Sequence, residues 1–240
     1  MWSICKKECN QFFSSLTGYI AIVLFLLING LFLFVLQDSS IFEYGYASLE
    51  KYFELAPWVL LFLVPAITMR SMSEEYKSGT FETLQTRPLS PLQIVTGKYI
   101  AVLLILILAI APSILYVFTI QSLSAGGDID FGGLIGSYLG LFLLSACFAA
   151  IALCCSGQTS NAVVAFLLSG FVCVIVYFGF GAISKIAFLK GKADYYIEML
   201  GIDFHYRSIS RGVLDTRDLV YFFSIIFISL FITQKKISIK

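Results

Sequence analysis

Histidine is nearly missing from this chain, with His205 the single one in 240 residues. Charge is scarce too, at 13% Asp, Glu, Lys and Arg, and proline is held to five residues. Each shortage excludes something. Hydrolysis within a membrane by a Ser/His pair or by a metal needs histidines spaced along the apolar segments, and one histidine in a polar loop supplies neither. His205 reads as a surface or interfacial residue. No G-x-S-x-G occurs, and Ser137 after Gly136 sits at ordinary packing spacing rather than on a nucleophile elbow. No G-x-x-x-x-G-K-[ST] occurs either, because Gly97-Lys98 is followed by Tyr99, so the chain has no phosphate loop of its own. A net charge of +1 gives no case for nucleic-acid binding. Of the six cysteines, Cys147, Cys154, Cys155 and Cys173 lie in apolar runs and Cys5 and Cys9 share one face of an N-terminal helix. None has paired metal-ligand spacing, so they read as packing residues, and no metal or cofactor is expected.

What is abundant is apolar. The chain is 59% hydrophobic with a mean hydropathy of +0.90, outside the range of soluble domains. The expected fold is an all-α membrane protein, one domain over 1–240, with six transmembrane helices near 17–36, 55–70, 94–121, 134–154, 161–183 and 218–233. Ahead of the first, Trp2, Cys5, Cys9, Phe12 and Phe13 mark one face of an interfacial helix. The run after it is long enough to span and is followed by no small-residue cleavage site, which reads as a transmembrane helix and not as a signal peptide. Asn29 and Gly30 within it read as positions that let another helix approach. The second span is short, either continued by snorkelling ends or bent at Pro65, with Pro57 in its first turn. Pro112 interrupts the third, and Ser156 to Asn161 is the polar turn between the fourth and fifth. Before the sixth, a mixed-charge segment interleaved with Tyr195, Tyr196, Met199, Leu200 and Ile202 reads as short amphipathic helices, with Asp215 to Asp218 as the N-cap of the last span.

Six spans put both termini on one side. Lys6, Lys7, Arg70, Lys77, Arg87, Lys98, Lys235, Lys236 and Lys240 all fall there, which makes that side cytoplasmic by the positive-inside rule. The loop before the last span breaks the rule: it lies outside yet carries Lys185, Lys190, Lys192, Arg207, Arg211 and Arg217. The apolar cores of all six spans hold no Asp, Glu, Lys, Arg or His, which argues against ion-coupled secondary transport, so energy for any transport comes from elsewhere.

The polar island at 70–98 is organised as a docking element. Ser71 and Glu74 have capping-box spacing, Gly79 is a stop, Thr80 with Glu82 a second start, and Arg87-Pro88 ends that segment. Ser90-Pro91-Leu92-Gln93 then combines N-cap, first-turn proline and capping glutamine. Tyr76, Phe81 and Leu84 are apolar anchors among the charges.

At these residues the chain resembles the permease subunit of ABC-2 type ABC transporters: Glu74-Glu75-x-Lys77-x-Gly79-Thr80-x-Glu82-x-Leu84, then Arg87-Pro88-x-Ser90 and Gly97-Lys98. Ile209 to Leu219 resembles the segment before span six in the gliding-motility-associated group of that family. The resemblance implies a coupling helix carrying Glu74, Glu75, Lys77, Gly79, Thr80, Phe81, Glu82 and Leu84, seated in a separate cytoplasmic ABC ATPase subunit. It implies a second permease chain, as homodimer or heterodimer, an accessory gliding-type membrane subunit, and a bacterial inner-membrane location. It also implies an outer gate region near Arg207, Arg211 and Asp215. ATP hydrolysis is expected in the separate subunit, so the chain itself is not expected to be an enzyme. The alternative is a membrane scaffold or anchor that transports nothing and uses the same island to hold a cytoplasmic partner. A polytopic enzyme is the third and most distant reading.

Overall fold

The computed structural model describes residues 1–36, 49–85, 90–123, 130–186, 191 and 194–239. The expected stop at Arg87-Pro88, the acidic loop around Asp38 and Glu43, and Lys190, Lys192 and Lys240 lie outside the described residues. Within them the chain is helical throughout: α1 Trp2–Phe13, α2 Leu16–Phe34, α3 Glu50–Ser78, α4 Thr80–Gln85, α5 Pro91–Ile110, α6 Ile114–Leu123, α7 Phe131–Ser156, α8 Ala162–Val174, α9 Phe180–Ser184, α10 Asp194–Glu198, α11 Ile202–Ile209 and α12 Thr216–Ile239. Among the described residues, five helical stretches are long and apolar enough to cross a membrane. A sixth arises when Trp2–Phe13 and Gly18–Phe34, bent by 71° to one another, are counted as one.

Several boundaries follow from side chains that satisfy helix ends. Ser90 and Gln93 form a reciprocal capping box at the head of α5. Asp130 accepts from the Gly133 amide at 3.1 Å, Asn161 from Val163 at 2.9 Å and Asp215 from Arg217 at 3.0 Å, which starts α7, α8 and α12. Pro112 turns the third span through one 3₁₀ stretch, Ala111–Ser113, between α5 and α6. A π-helical turn, Ile175–Gly179, joins α8 to α9 and has no signature in the sequence pattern.

The second span departs from expectation. It starts at Glu50 and runs unbroken to Ser78, with Pro57 and Pro65 both inside it. No new helix starts at Ser71, because its hydroxyl does not cap. It donates instead to Glu8 Oε2 at 3.2 Å, and Ser73 bonds back to the Met69 carbonyl. Nothing breaks the helix until Gly79, at φ +70°, closes it in the left-handed conformation.

The fourth span, α7, is the most buried and packs against α3, α5, α8, α11 and α12. Hydroxyls lock the spans across their backbones. Tyr99 donates to the Ala146 carbonyl at 3.1 Å, Tyr116 to Leu26 at 2.8 Å, Tyr206 to Phe53 at 2.7 Å and Ser156 to Met69 at 3.1 Å. In hydrocarbon such bonds and close backbone approach take over the role that burial plays in water. Asn29 is buried and bonds within its own helix, while a Cβ on Gly30 would lie 3.3 Å from the Tyr116 hydroxyl, so this stretch of α2 does receive a neighbour. Gly136 and Gly140 on α7 receive the turn after α11: a Cβ there would meet Gly212 O at 2.7 Å and Ile209 Cγ2 at 2.3 Å. Ser137, between them, donates to the Ser210 carbonyl at 2.8 Å, which is a structural task.

Candidate coupling and gate sites

The polar end of α3 continues as the same rod that crosses the membrane. Its last turn carries Glu74, Glu75 and Lys77. Gly79 then reverses the path, and the six-residue α4 follows. Ser78 ties the corner, with its hydroxyl 2.8 Å from the Glu74 carbonyl and 2.8 Å from Thr80 Oγ1. Phe81 folds back as the anchor of α4, buried, with its ring 4.6 Å from that of Tyr76. What remains outward at the tip is Lys77, Ser78, Gly79, Thr80 and Glu82, all exposed.

Beneath the tip lies a charge cluster that sequence reasoning missed. Lys98, at the head of α5, has a fully buried side chain. Its Nζ lies 2.8 Å from Glu8 Oε1 on α1, 2.9 Å from Glu75 Oε2 on α3, and donates to the Ser71 carbonyl at 2.5 Å. Lys7 reaches the other Glu75 oxygen at 2.5 Å. Two lysines and two glutamates thus close a cluster of balanced formal charge, in which each buried charge is paired. The cluster fastens α1, α3 and α5 at one point. A signal for it existed: Glu8 is three residues beyond Cys5 and four before Phe12, a charge on the packed face of α1. That face is also rotated from expectation, with Ile4 and Cys5 buried and Trp2 70% exposed. Gly97 makes room for it, since a Cβ there would meet Met1 O at 3.0 Å.

The eight residues of the expected coupling helix therefore separate. Lys77, Gly79, Thr80 and Glu82 form an exposed tip. Glu74 is half-exposed and paired with Arg70 at 3.3 Å. Glu75 and Phe81 face inward. The Leu84 side chain lies outside the described residues.

At the opposite end of the bundle, α10 and α11 cover the heads of the spans. Arg207 is exposed and ion-paired with Asp203 one turn back, with Glu198 at 3.8 Å. Arg211 is exposed, and Asp215 caps α12, so the three expected gate residues do not converge on one point. The convergent group is a different one. His205 is buried at 3% exposure, contrary to its expected surface position. Its Nδ1 lies 2.6 Å from Asp218, its Nε2 2.8 Å from the Met199 carbonyl, and its ring stacks on Tyr221 at 3.9 Å. A carbonyl only accepts, so the Nε2 contact is an N–H donated to Met199. The pair pins α11 to α12.

The second span thus runs on as one helix into an exposed tip at Lys77, Gly79, Thr80 and Glu82. Residues 37–194 match the family model described as ABC-2 family transporter protein. The chain belongs to the ABC-2 transporter family. No curated protein matches it. Subunits of this family are the multi-pass transmembrane partners in ABC transporters, distinct from the ATPase, and they generally pair with an ATPase subunit. The matched span includes the exposed tip and Lys98. It excludes α1, whose Glu8 and Lys7 complete the cluster, as well as the His205 pin.

Proposed function

We propose that this ABC-2 permease is one half of the membrane part of an ATP-driven exporter, docked through the tip at Lys77, Gly79, Thr80 and Glu82 in a cleft of a cytoplasmic ATPase subunit. The observation that carries this reading is the cluster beneath the tip. Because Lys98, Glu8 and Glu75 join α3, α5 and α1 at one buried point, force applied to the tip reaches two spans and the interfacial helix together. A change in the ATPase can then shift the spans only through contacts that differ between its two states, and the exposed charges Lys77 and Glu82 supply them. In this reading Glu75 and Phe81 hold the tip in shape, while Glu74 borders it.

A second permease chain, identical or related, completes the pathway. Both termini and the tip are cytoplasmic, in a bacterial inner membrane, and 1–240 forms one transmembrane domain. The resemblance of Ile209 to Leu219 supports a gliding-motility or secretion system with an accessory membrane subunit. Arg207, Arg211 and Asp215 lie in the outer cover, where α10 and α11 act beside the external gate.

The test uses exposed positions only. The chain is co-expressed with candidate ATPase subunits, and Lys77→Glu with Glu82→Lys is compared with the parent. Co-purification and transport-coupled ATPase activity are expected to fall while the chain's own thermal midpoint stays unchanged. Unaltered assembly and coupling would reject the tip as the docking element. A stable cytoplasmic partner without ATPase activity would favour the scaffold reading.

A further inference from the structure

A cavity of about 190 Å³ lies just below the charge cluster, walled by α1, the foot of α2, α3 and α5. That is more than about ten times what one water needs. Its two ends differ in chemistry. One is polar, with Arg70, Glu74, Gln11 and the Glu8 carboxylate. The other is apolar and lies deeper along the spans, at Ala66, Ile105 and Ala21. Arg70 is the first charged residue after the uncharged run of the second span, so the polar end sits at headgroup level and the apolar end at the level of the chains.

The polar groups present both signs with capacity to spare. The Arg70 pair with Glu74 engages Nε at 3.3 Å, which leaves the two terminal nitrogens of the guanidinium for an anion, the fork geometry that suits a phosphate. Glu74 Oε2 and the Gln11 amide oxygen are acceptors on the same rim, beside Glu8, whose Oε2 takes one bond from Ser71. Acceptors beside a phosphate-sized cation site fit a ligand that carries a hydrogen-bonding ammonium next to its phosphate. An apolar wall below fits the start of its acyl chains. We propose that this cavity is a phospholipid site selective for a headgroup bearing both a phosphate and a primary ammonium, with Arg70 on the phosphate and Glu74 and Gln11 on the ammonium. A quaternary ammonium cannot donate to those acceptors, and a glycerol headgroup brings no cation, so both are disfavoured. Occupied, the site would fill the bend between α1 and α2 directly against the cluster that holds the tip.

The inference does not rest on the ATPase reading, and its test needs no partner. The delipidated full chain in detergent is titrated by native mass spectrometry with dioleoyl lipids bearing ethanolamine, choline or glycerol headgroups. The ethanolamine lipid is expected to bind about tenfold more tightly than either of the others, the worth of one charge-assisted hydrogen bond. Arg70→Gln is expected to remove that binding and Glu74→Gln to remove the preference over the glycerol lipid. Ala66→Leu, which fills the cavity without touching a charge, covers the case in which an Arg70 variant fails to fold, and is expected to lose binding as well. Arg217→Gln at the far end serves as the control and should bind as the parent does. Equal affinity for the three lipids, or an ethanolamine preference that survives Arg70→Gln and Ala66→Leu, overturns the proposal. Displacement by soluble phosphoethanolamine at the lipid's own concentration would overturn the membrane origin of the ligand.

Discussion

Replacing Lys98 by Met keeps the length and apolar stem of the side chain and removes only the ammonium. In the parent that ammonium meets Glu8 at 2.8 Å and Glu75 at 2.9 Å with no solvent access. The variant leaves two largely buried carboxylates facing Lys7 alone, whose own side chain is 51% exposed. Breaking a buried ion pair by removing one partner costs about 3–5 kcal/mol. The lower figure applies here because Lys7 still reaches Glu75. At about 1.4 kcal/mol per decade, ~3 kcal/mol shifts the docking equilibrium of α1 by roughly two orders of magnitude. The thiol of Cys5 reports that shift directly, since it is 2% exposed while α1 is docked. In a Cys9→Ser, Cys154→Ser background, maleimide labelling of Cys5 is expected to be slow in the parent and fast in Lys98→Met. Adding Glu8→Gln to Lys98→Met removes one uncompensated charge and should restore part of the protection. Protection of Cys5 that is the same in parent and Lys98→Met would refute the argument that the cluster holds α1.

Three further outcomes follow from particular contacts. Gly136→Ala forces a Cβ to within 2.7 Å of the Gly212 carbonyl, a backbone atom that cannot swing away. It should lower the thermal midpoint by an amount equivalent to about 1–3 kcal/mol. Gly170→Ala meets nothing within 4 Å and should leave the midpoint unchanged or raise it slightly. His205→Phe keeps a ring on Tyr221 but leaves Asp218 buried without its partner, at a cost of about 3 kcal/mol. The double variant with Asp218→Asn should recover most of that loss in the same melt. Burial, then the neighbouring Cys5 and Glu8, push the Cys9 thiol up to about 11. Its maleimide rate at pH 8 should therefore be far below that of a free thiol and should keep rising towards pH 11, whereas a rate that levels off near pH 9 would contradict the assignment.

The layout was legible because it rests on the strongest local signals. Uncharged runs of bilayer length, the Ser90-Pro91 cap, the left-handed Gly79 and the break at Asn161 are each decided within a few residues, and the structure follows them. The continuation of α3 through Ser71 was not legible, since a serine and a glutamate at capping spacing serve equally well inside a helix when the serine finds another acceptor, here Glu8. Nor was the charge cluster, which joins residues 8, 75 and 98, or the pin between His205 and Asp218. Such pairings are set by how the helices pack, and no periodicity along one helix encodes them. The consequence is largest at the candidate coupling segment. The family resemblance implies Glu75 and Phe81 as contacts for a partner, yet their side chains are turned inward, and the exposed tip is narrower than the motif.

The central claim is that the tip at Thr80 meets an ATP-hydrolysing subunit, and a photo-cross-linker placed at Thr80 in native membranes tests it most directly. The account predicts an adduct with an ATPase subunit whose yield changes when nucleotide is added. An adduct only with a protein that hydrolyses no ATP, or no adduct at Thr80 under conditions where the transporter is active, would contradict it.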